Sequence, residues 1–395
     1  MPMLDTLLSA FKGGSETRAP ISSGTMPGCA PVFDGSVHST AWRYETAVRD
    51  GFLSNPIAQR AVRIVAEGVG QAPIACDDPD MRALIDAESA GQSLLETLAA
   101  HVLLHGNAYI QIVKDAASRP IELFALRPDR VTAVAGPDGW PIAYDYKVGG
   151  KAMRIPVEDE DGWPSIVQIK ALHPLDDYCG ASALAAARAA VAVHNAASQW
   201  NRSLLENAAR PSGALVYDTP DNAGLTQEQF ERLRSELETA FSGSANAGRP
   251  MLLDGGLTWQ SMAMSPADMD FATLKSAAAR DIALAFGVPP MLLGLPGDNT
   301  YSNYREANRA LWRLTLLPLS QKLFAGLHQA LSPWFPDSRI SCDLDQVTAL
   351  SEDRERLWKQ VSDADFLTRE EKRAMLGLAK EPEVAPRDEN TETGR

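Results

Sequence analysis

Two histidines have a spacing that could support a metal site. His101 and His105 are four residues apart, so they lie on the same face of a helix. No glutamate follows His101 and the sequence suggests no third ligand. The interpretation that we favour is two histidines on a partly buried helix, and no metal is predicted.

Ser182 is the residue whose setting is nearest to that of a catalytic nucleophile. The segment 180–184 begins like a nucleophile elbow, but Leu184 stands where that motif requires glycine. Ser182 is therefore predicted to be the N-cap of the Ala-rich helix that follows it. The sequence predicts no catalytic residue and no cofactor.

Three arginines recur every four residues. Arg305, Arg309 and Arg313 share one face of a predicted helix. Three cations on one face repel each other unless an anion lies opposite them. A DNA duplex and an acidic face of a neighbouring subunit are the two candidates, and a solvated face is the third interpretation.

The charge balance restricts how this chain could use DNA. The 395 residues carry a formal net charge of -14, whereas a protein that holds DNA tightly usually presents a basic face. An acidic chain can still surround DNA if the duplex has to slide. The most apolar run, 181–193, is interrupted by Arg188 and is too short to span a bilayer, so no membrane contact is predicted.

The pattern before residue 225 mixes helices with short strands. Asn55 and Pro56 predict the start of one helix, and a second is predicted from Ser93 to His105, with Gly106 as its end. Four short apolar runs separated by turn residues predict a small antiparallel sheet, and a long helix follows it. The runs are 109–113, 121–126, 131–134 and 142–148, and the helix is 182–207.

From Leu225 onward the pattern becomes mainly helical. Thr226 and Gln229 form a capping box, and a predicted hairpin (251–253 with 257–262) separates that helix from the next. A loop at 295–303 precedes a long helix from Tyr304 to Leu331, with a bend at Pro318. A strand at 340–344 and two short helices end the pattern. The predicted class is α+β, mainly helical.

Seven stretches stand in one consistent order along the chain: NPIAQRAVRIVAEGVGQAPI (55–74), LLHGNAYIQIV (103–113), YCGASALAAARAAV (178–191), RPSGAL (210–215), LTQEQFERL (225–233), AFGVPPMLLG (285–294) and TYSNYREANRALWRLTLLPL (300–319). In this order they resemble the HK97-type portal protein family of tailed phages. The compact length and Ala-rich texture also resemble portals of gene transfer agents and prophages.

The resemblance implies an arrangement of parts. It is a flexible N-terminal arm (1–50), a wing (51–224), a stem helix (225–242), a clip (243–264), a second stem helix (265–286), more wing (287–350), a small helical crown (351–379) and a disordered tail (380–395). The second wing segment contains a tunnel loop (295–303) and a tunnel helix (304–331).

The resemblance also implies site residues and partners. The tunnel loop places Asp298, Asn299, Thr300, Tyr301, Ser302 and Asn303 at a DNA channel, and the clip places Asn246, Arg249, Met251, Asp254 and Trp259 against terminase or a head-tail adaptor. The implied assembly is a homo-dodecamer at one capsid vertex of a virion or phage-like particle assembled in the bacterial cytoplasm. Its partners are double-stranded DNA, large terminase, major capsid protein and a head-tail adaptor. The alternatives are a capsid-associated hydrolase using Ser182 or His101/His105, and an oligomeric scaffold without DNA contact.

Overall fold

The computed structural model describes residues 44–89, 91–206, 213–217, 226–241, 257–261, 271–296 and 300–377. Helices dominate these ranges and β-strands supply the rest of the regular structure, which confirms the predicted α+β, mainly helical class. In chain order the helices are α1 (Tyr44–Val48), α2 (Pro56–Gly70), α3 (Pro79–Ile85), α4 (Leu94–His105), α5 (Ala183–Ala186), α6 (Arg188–Glu206), α7 (Gln227–Phe241), α8 (Phe271–Ala285), α9 (Tyr301–Leu311), α10 (Leu317–Leu331), α11 (Ser351–Ser362) and α12 (Arg369–Leu376).

The strands form two three-stranded antiparallel sheets, where the sequence predicted one small sheet. The strands are β1 (Ile74–Cys76), β2 (Glu88–Ser89), β3 (Gln92–Ser93), β4 (Asn107–Lys114), β5 (Pro120–Leu126), β6 (Val131–Ala135), β7 (Pro141–Val148), β8 (Lys151–Pro156), β9 (Ile166–Lys170), β10 (Gly213–Tyr217), β11 (Leu257–Ser261) and β12 (Ile340–Cys342). One sheet has the order β5-β4-β9 and the other β6-β7-β8, and two-stranded pairs join β1 to β12, β2 to β3 and β10 to β11. The four predicted strands are present, and β8 and β9 complete the sheets.

The main hydrophobic core lies where α2, α4 and α10 meet strand β4. Leu98 of α4, Ile110 of β4 and Leu323 of α10 have no exposed surface. The predicted N-cap of α2, Asn55, is confirmed, because its side chain accepts hydrogen bonds from backbone N–H groups of the first turn. Ser93, the predicted first residue of the next helix, caps α4 in the same way. Local caps therefore fix where these helices begin, and apolar burial holds them together.

The N-terminal arm is shorter than the sequence predicted. Helix α1 and a π-helical turn, Arg49–Leu53, occupy its last residues, and Ala47 is buried in the main core. The prediction of a flexible arm differs from the structure at 44–50, because these residues are helical and their apolar positions pack against the core. Residues 1–43 of the arm and 378–395, which include the predicted tail, lie outside the described residues.

The long paired helices among the described residues are α6 and α8, whereas the sequence predicted stem helices at 225–242 and 265–286. Helix α8 packs along α6, and the rings of Trp200 and Phe271 stack with centroids 5.9 Å apart. Strand β11 pairs with β10, and residues 251–253, its predicted hairpin partner, lie outside the described residues. Strand β10 precedes α7 and β11 follows it, and the two strands pair with each other. Helix α7 therefore lies in an insertion that connects α6 to α8.

Local signals at the later helices are confirmed. Thr226 and Gln229 exchange the two hydrogen bonds of a capping box at the start of α7, and Thr368 and Glu371 do so at α12. The predicted cap at 265–268 lies outside the described residues. Within the ranges that the structure describes, every helix is too short or too polar to cross a membrane.

Candidate functional site

Helix α9 begins earlier than the sequence predicted. The Thr300 hydroxyl accepts a hydrogen bond from the Asn303 backbone N–H at 3.2 Å, which makes Thr300 the N-cap. Tyr301, Ser302 and Asn303 therefore form the first helical turn, and their assignment to a loop is wrong. Tyr301 remains 80% exposed. Asp298 and Asn299 lie outside the described residues.

The segment between α8 and α9 is attached at two points. The Thr315 hydroxyl donates to the Gly287 carbonyl at 2.6 Å, and Arg280 donates to the Pro296 carbonyl at 2.7 Å. Gly287 has a φ of +66°, and an added Cβ would meet Thr315 Oγ1 at 2.6 Å, so glycine permits this approach. The start of the predicted tunnel loop is therefore fixed to α8 through Pro296, and the residues just after α8 are fixed to the long helix through Gly287.

The long helix is interrupted just before the position where the sequence predicted a bend. Trp312–Leu316 form a π-helical segment between α9 and α10, and Pro318 is in the first turn of α10. Proline lacks an N–H, and its ring crowds the carbonyl four residues earlier, which is that of Leu314. Widening the preceding turn relieves that contact, so the departure from α-helical geometry precedes the proline.

The three arginines face acidic side chains of the same chain. Arg305 Nη1 lies 2.7 Å from Glu352 Oε1, and Arg309 Nη2 lies 2.6 Å from Glu352 Oε2. Arg309 also lies 3.1 Å from Glu306 and 3.6 Å from Asp353, and Arg313 lies 3.9 Å from Asp353. The sequence suggested a DNA duplex and a neighbouring subunit as candidate anionic partners of the arginines. In the structure, the first turn of α11 of the same chain is the partner.

Glu352 and Asp353 are the residues that sequence reasoning missed. Their type was visible as an acidic first turn of a predicted helix, but no local signal relates them to arginines that lie between 39 and 48 positions earlier. Arg309 is only 16% exposed, whereas Arg305 and Arg313 keep 49% and 64% of their side-chain surface exposed. An outward role toward DNA or a neighbour stays a prediction for those two side chains.

The predicted clip residues lie mostly outside the described residues. This holds for Asn246, Arg249, Met251 and Asp254. Trp259 is within β11, where its backbone is opposite Leu215 of β10. The strand pair therefore brings part of the predicted clip beside a segment that the sequence had placed in the wing.

Ser182 has the structural role that the sequence favoured. Its hydroxyl accepts from the Ala185 N–H at 3.1 Å and donates to the Leu104 carbonyl at 2.9 Å. It is the N-cap of α5 and joins that helix to the end of α4. The hydroxyl is thus engaged by backbone groups on both sides.

His105 is buried beside α1 and the start of β4, and His101, one turn earlier in α4, is partly buried. Burial lowers the pKa of each to about 4, so both are neutral at pH 7. His105 Nδ1 is 3.2 Å from the Asn107 side-chain nitrogen, and the Tyr44 ring meets the His105 ring edge-on. Among the described residues, no three His, Cys, Asp or Glu side chains come together to hold a metal ion.

Known proteins show similarity along most of the chain. Residues 56–377 match the family described as phage portal protein. A protein of Rickettsia bellii is 40% identical over 344 residues, which are 84% of this chain and 88% of the relative. The probable portal protein of Streptomyces phage phiC31 is 27% identical over 289 residues, which are 69% of this chain and 61% of that protein.

Solved structures show the same likeness. A chain in the virion of a native gene transfer agent particle is 45% identical, with a TM-score of 0.67, over 91% of this chain and 98% of that chain. A chain in the neck of the native particle, computed with C12 symmetry, is 47% identical, with a TM-score of 0.65, over 85% and 93%. An HK97 family phage portal protein from Corynebacterium diphtheriae has the same fold, with a TM-score of 0.54 at 16% identity over 75% and 95%.

The match of residues 56–377 includes both three-stranded sheets, the α6–α8 pair and the arginine-bearing helix. The family predicted from the ordered series of motifs is confirmed, and this chain belongs to the phage portal protein family.

Proposed function

We propose that this chain is the subunit of a twelve-membered portal ring at one vertex of a virion or gene transfer agent particle, and that DNA passes through the centre of the ring. The observation that carries the proposal is its 47% identity to a chain of a particle neck computed with C12 symmetry. The proposed role is structural and includes no catalytic step, so the energy for DNA movement comes from large terminase.

Exposed apolar side chains support the proposed contact between subunits. Leu284 of α8 is 79% exposed, and Leu274 of α8 and Trp200 of α6 are each nearly half exposed in the single chain. Leaving such side chains in water costs free energy that packing against a second copy would recover. The α6–α8 pair is therefore proposed as the stem, with neighbouring copies against it.

The proposed clip consists of β10, α7 and β11, together with the segment 243–264 from which the site residues were predicted. Strands β10 and β11 pair with each other, so they hold together the two ends of the insertion between the long helices α6 and α8. Large terminase and a head-tail adaptor are proposed to dock there in turn. Major capsid protein is proposed to surround the ring, with assembly in the bacterial cytoplasm.

The ring is tested by microscopy of the purified full-length chain. We expect negative-stain class averages to show annular particles with an axial hole and twelvefold rotational symmetry. Leu284→Asp should shift the population toward single subunits, because a charge at the proposed contact has to be desolvated. Leu53→Asp is the matched control, since Leu53 is also well exposed but is not part of the α6–α8 pair. Compact monomers of the unaltered chain would contradict the proposal.

The proposed channel contact is tested by deleting Asp298 to Ser302. We expect rings to form normally, while the amount of nuclease-protected DNA in particles falls to a small fraction of the unaltered level. The polar side chains of this segment are proposed to touch the DNA backbone through neutral hydrogen bonds, which position a duplex without reading its sequence.

Two substitution variants accompany the deletion, because removing Thr300 also removes the N-cap of α9. Tyr301→Ala with Ser302→Ala keeps Thr300 and should lower packaged DNA in the same direction. Phe366→Ala is the control, since Phe366 is an equally exposed aromatic side chain between α11 and α12. Unchanged packaged DNA in both the deletion and the double variant would remove these residues from the channel.

A further inference from the structure

Six charged side chains form a neutral cluster between α9 and α11. This charge cluster consists of Arg305, Arg309, Arg313, Glu306, Glu352 and Asp353, so three cations face three anions. The two shortest contacts, 2.7 and 2.6 Å, are charge-assisted hydrogen bonds from two arginines to the two oxygens of Glu352. One carboxylate thus bridges successive turns of the arginine stripe.

The acidic turn is held in place by contacts that do not involve the arginines. Arg354 of α11 lies 2.6 Å from Asp345 and donates to the Leu376 carbonyl at 3.1 Å. Leu350 and Val361, at the two ends of α11, are buried. The helix N-terminus also favours Glu352 and Asp353, because its unpaired N–H groups carry partial positive charge. The carboxylates are therefore presented to the arginines in a fixed position.

A guanidinium that binds a carboxylate is less available to a phosphate. Both anions present two oxygens to the same N–H donors, so a phosphate has to displace the carboxylate before it can bind closely. Arg309 has contacts with all three acidic residues, Arg305 with one, and Arg313 has one long contact. Attraction for phosphate is thus most reduced at the centre of the stripe.

We propose that Glu352 and Asp353 take the place of phosphate on the arginine stripe and keep the DNA affinity of the α9 face low. This inference rests on the proposed function, because it requires DNA to pass α9 in the ring. A channel whose arginines were free would add strong phosphate contacts in every subunit and would hold the duplex. Because Glu352 and Asp353 neutralise the arginines within the chain, the arginines can lie on this face without binding the duplex strongly.

The experiment compares DNA binding by assembled rings at a series of salt concentrations. Glu352→Gln with Asp353→Asn removes two negative charges from the charge cluster. Glu355→Gln with Glu370→Gln removes two exposed negative charges elsewhere in α11 and α12, so net charge is matched. Fluorescence anisotropy of a short labelled duplex gives the affinity of each ring.

We expect the cluster variant to bind DNA about tenfold more tightly than the matched control at low salt. The slope of log K against log salt should steepen by about 0.9 for each additional phosphate that the ring neutralises. Adding Arg305→Gln, Arg309→Gln and Arg313→Gln to the cluster variant should abolish the increase in affinity, which assigns it to the arginines. Asp353→Asn alone breaks only the two long contacts and should give a smaller increase with little effect on folding.

Three outcomes separate the hypotheses. Equal affinity and equal slope for the cluster variant and its control would overturn the inference while leaving the portal ring intact. Loss of ring assembly in the cluster and Asp353→Asn variants, with unchanged DNA affinity of the subunits, would assign the acids to subunit contacts and also overturn it. Failure of the unaltered chain to form rings contradicts the proposed function itself.

Discussion

Gly106→Ala should prevent this protein from folding to its native structure, with a loss above about 4 kcal/mol in the free energy of unfolding. Gly106 follows α4 with a φ of +85°, and its backbone passes directly against that of Gly180. A Cβ on either glycine would come within 3.0 Å of backbone atoms of the other segment, and backbone cannot move aside as a side chain can.

This close approach joins three parts of the fold. The Gly106 carbonyl accepts from the Ala171 N–H at 2.8 Å, and the Gly180 N–H donates to the Asn107 side-chain oxygen at 2.9 Å. Asn107 is fully buried and also accepts from Gln168 at 2.8 Å. Separating the two glycines would break these hydrogen bonds and leave buried polar groups without partners.

Gly150→Ala is the matched control for Gly106→Ala. Gly150 has nearly the same φ, +80°, but an added Cβ there has no neighbour within 4 Å. The backbone strain alone is about 1–2 kcal/mol, and the difference between the two variants isolates the steric part. Soluble yield and the urea midpoint measured by circular dichroism are the readouts. Equal midpoints for the two variants would mean that the segments separate at little cost.

Asn55→Ala should lower the free energy of unfolding by about 3 kcal/mol, the second largest effect that we expect. The Asn55 oxygen accepts from the N–H groups of Ile57 and Ala58 at 3.1 and 3.0 Å. Its side-chain nitrogen donates to Asn195 Oδ1 at 2.9 Å and lies 3.2 Å from His194 Nδ1. Alanine removes the N-cap of α2 and takes away the hydrogen-bond partner of these two α6 side chains.

Asn55→Ser separates the two roles of this side chain. A serine hydroxyl can still cap α2, but it is too short to reach α6, so we expect a loss of about half that of alanine. Arg63→Ala, an exposed position of the same helix, should change stability by less than about 0.5 kcal/mol. Equal urea midpoints for Asn55→Ser and the unaltered protein would show that the link to α6 contributes nothing.

Local chemistry of the sequence decided where many elements begin and end. Asn55, Ser182 and Thr226 were predicted as caps and are caps, because a side-chain oxygen satisfies N–H groups only two or three residues away. The α+β class follows from hydrophobic periodicity, which is also a local property of the sequence. The family was found from the order of short motifs along the chain.

Tertiary structure alone decided which elements meet. Strand β11 pairs with β10 across more than forty residues, and α8 packs along α6, because apolar burial does not depend on separation along the chain. Sequence pattern favoured the nearest partner in both cases and predicted neither of these pairings. Strands β8 and β9 were missed because their propensity becomes decisive only when neighbouring strands are present.

The three arginines show the same contrast between what the sequence determined and what the tertiary structure decided. The sequence by itself determined that Arg305, Arg309 and Arg313 share one helix face, since a helix repeats every 3.6 residues. Only the tertiary structure decided that Glu352 and Asp353 lie opposite them, since no rule of spacing relates two separate helices. Likewise, sequence marked Gly106 as a helix end, but its contact with Gly180 depends on how β4 and the start of α5 pack together.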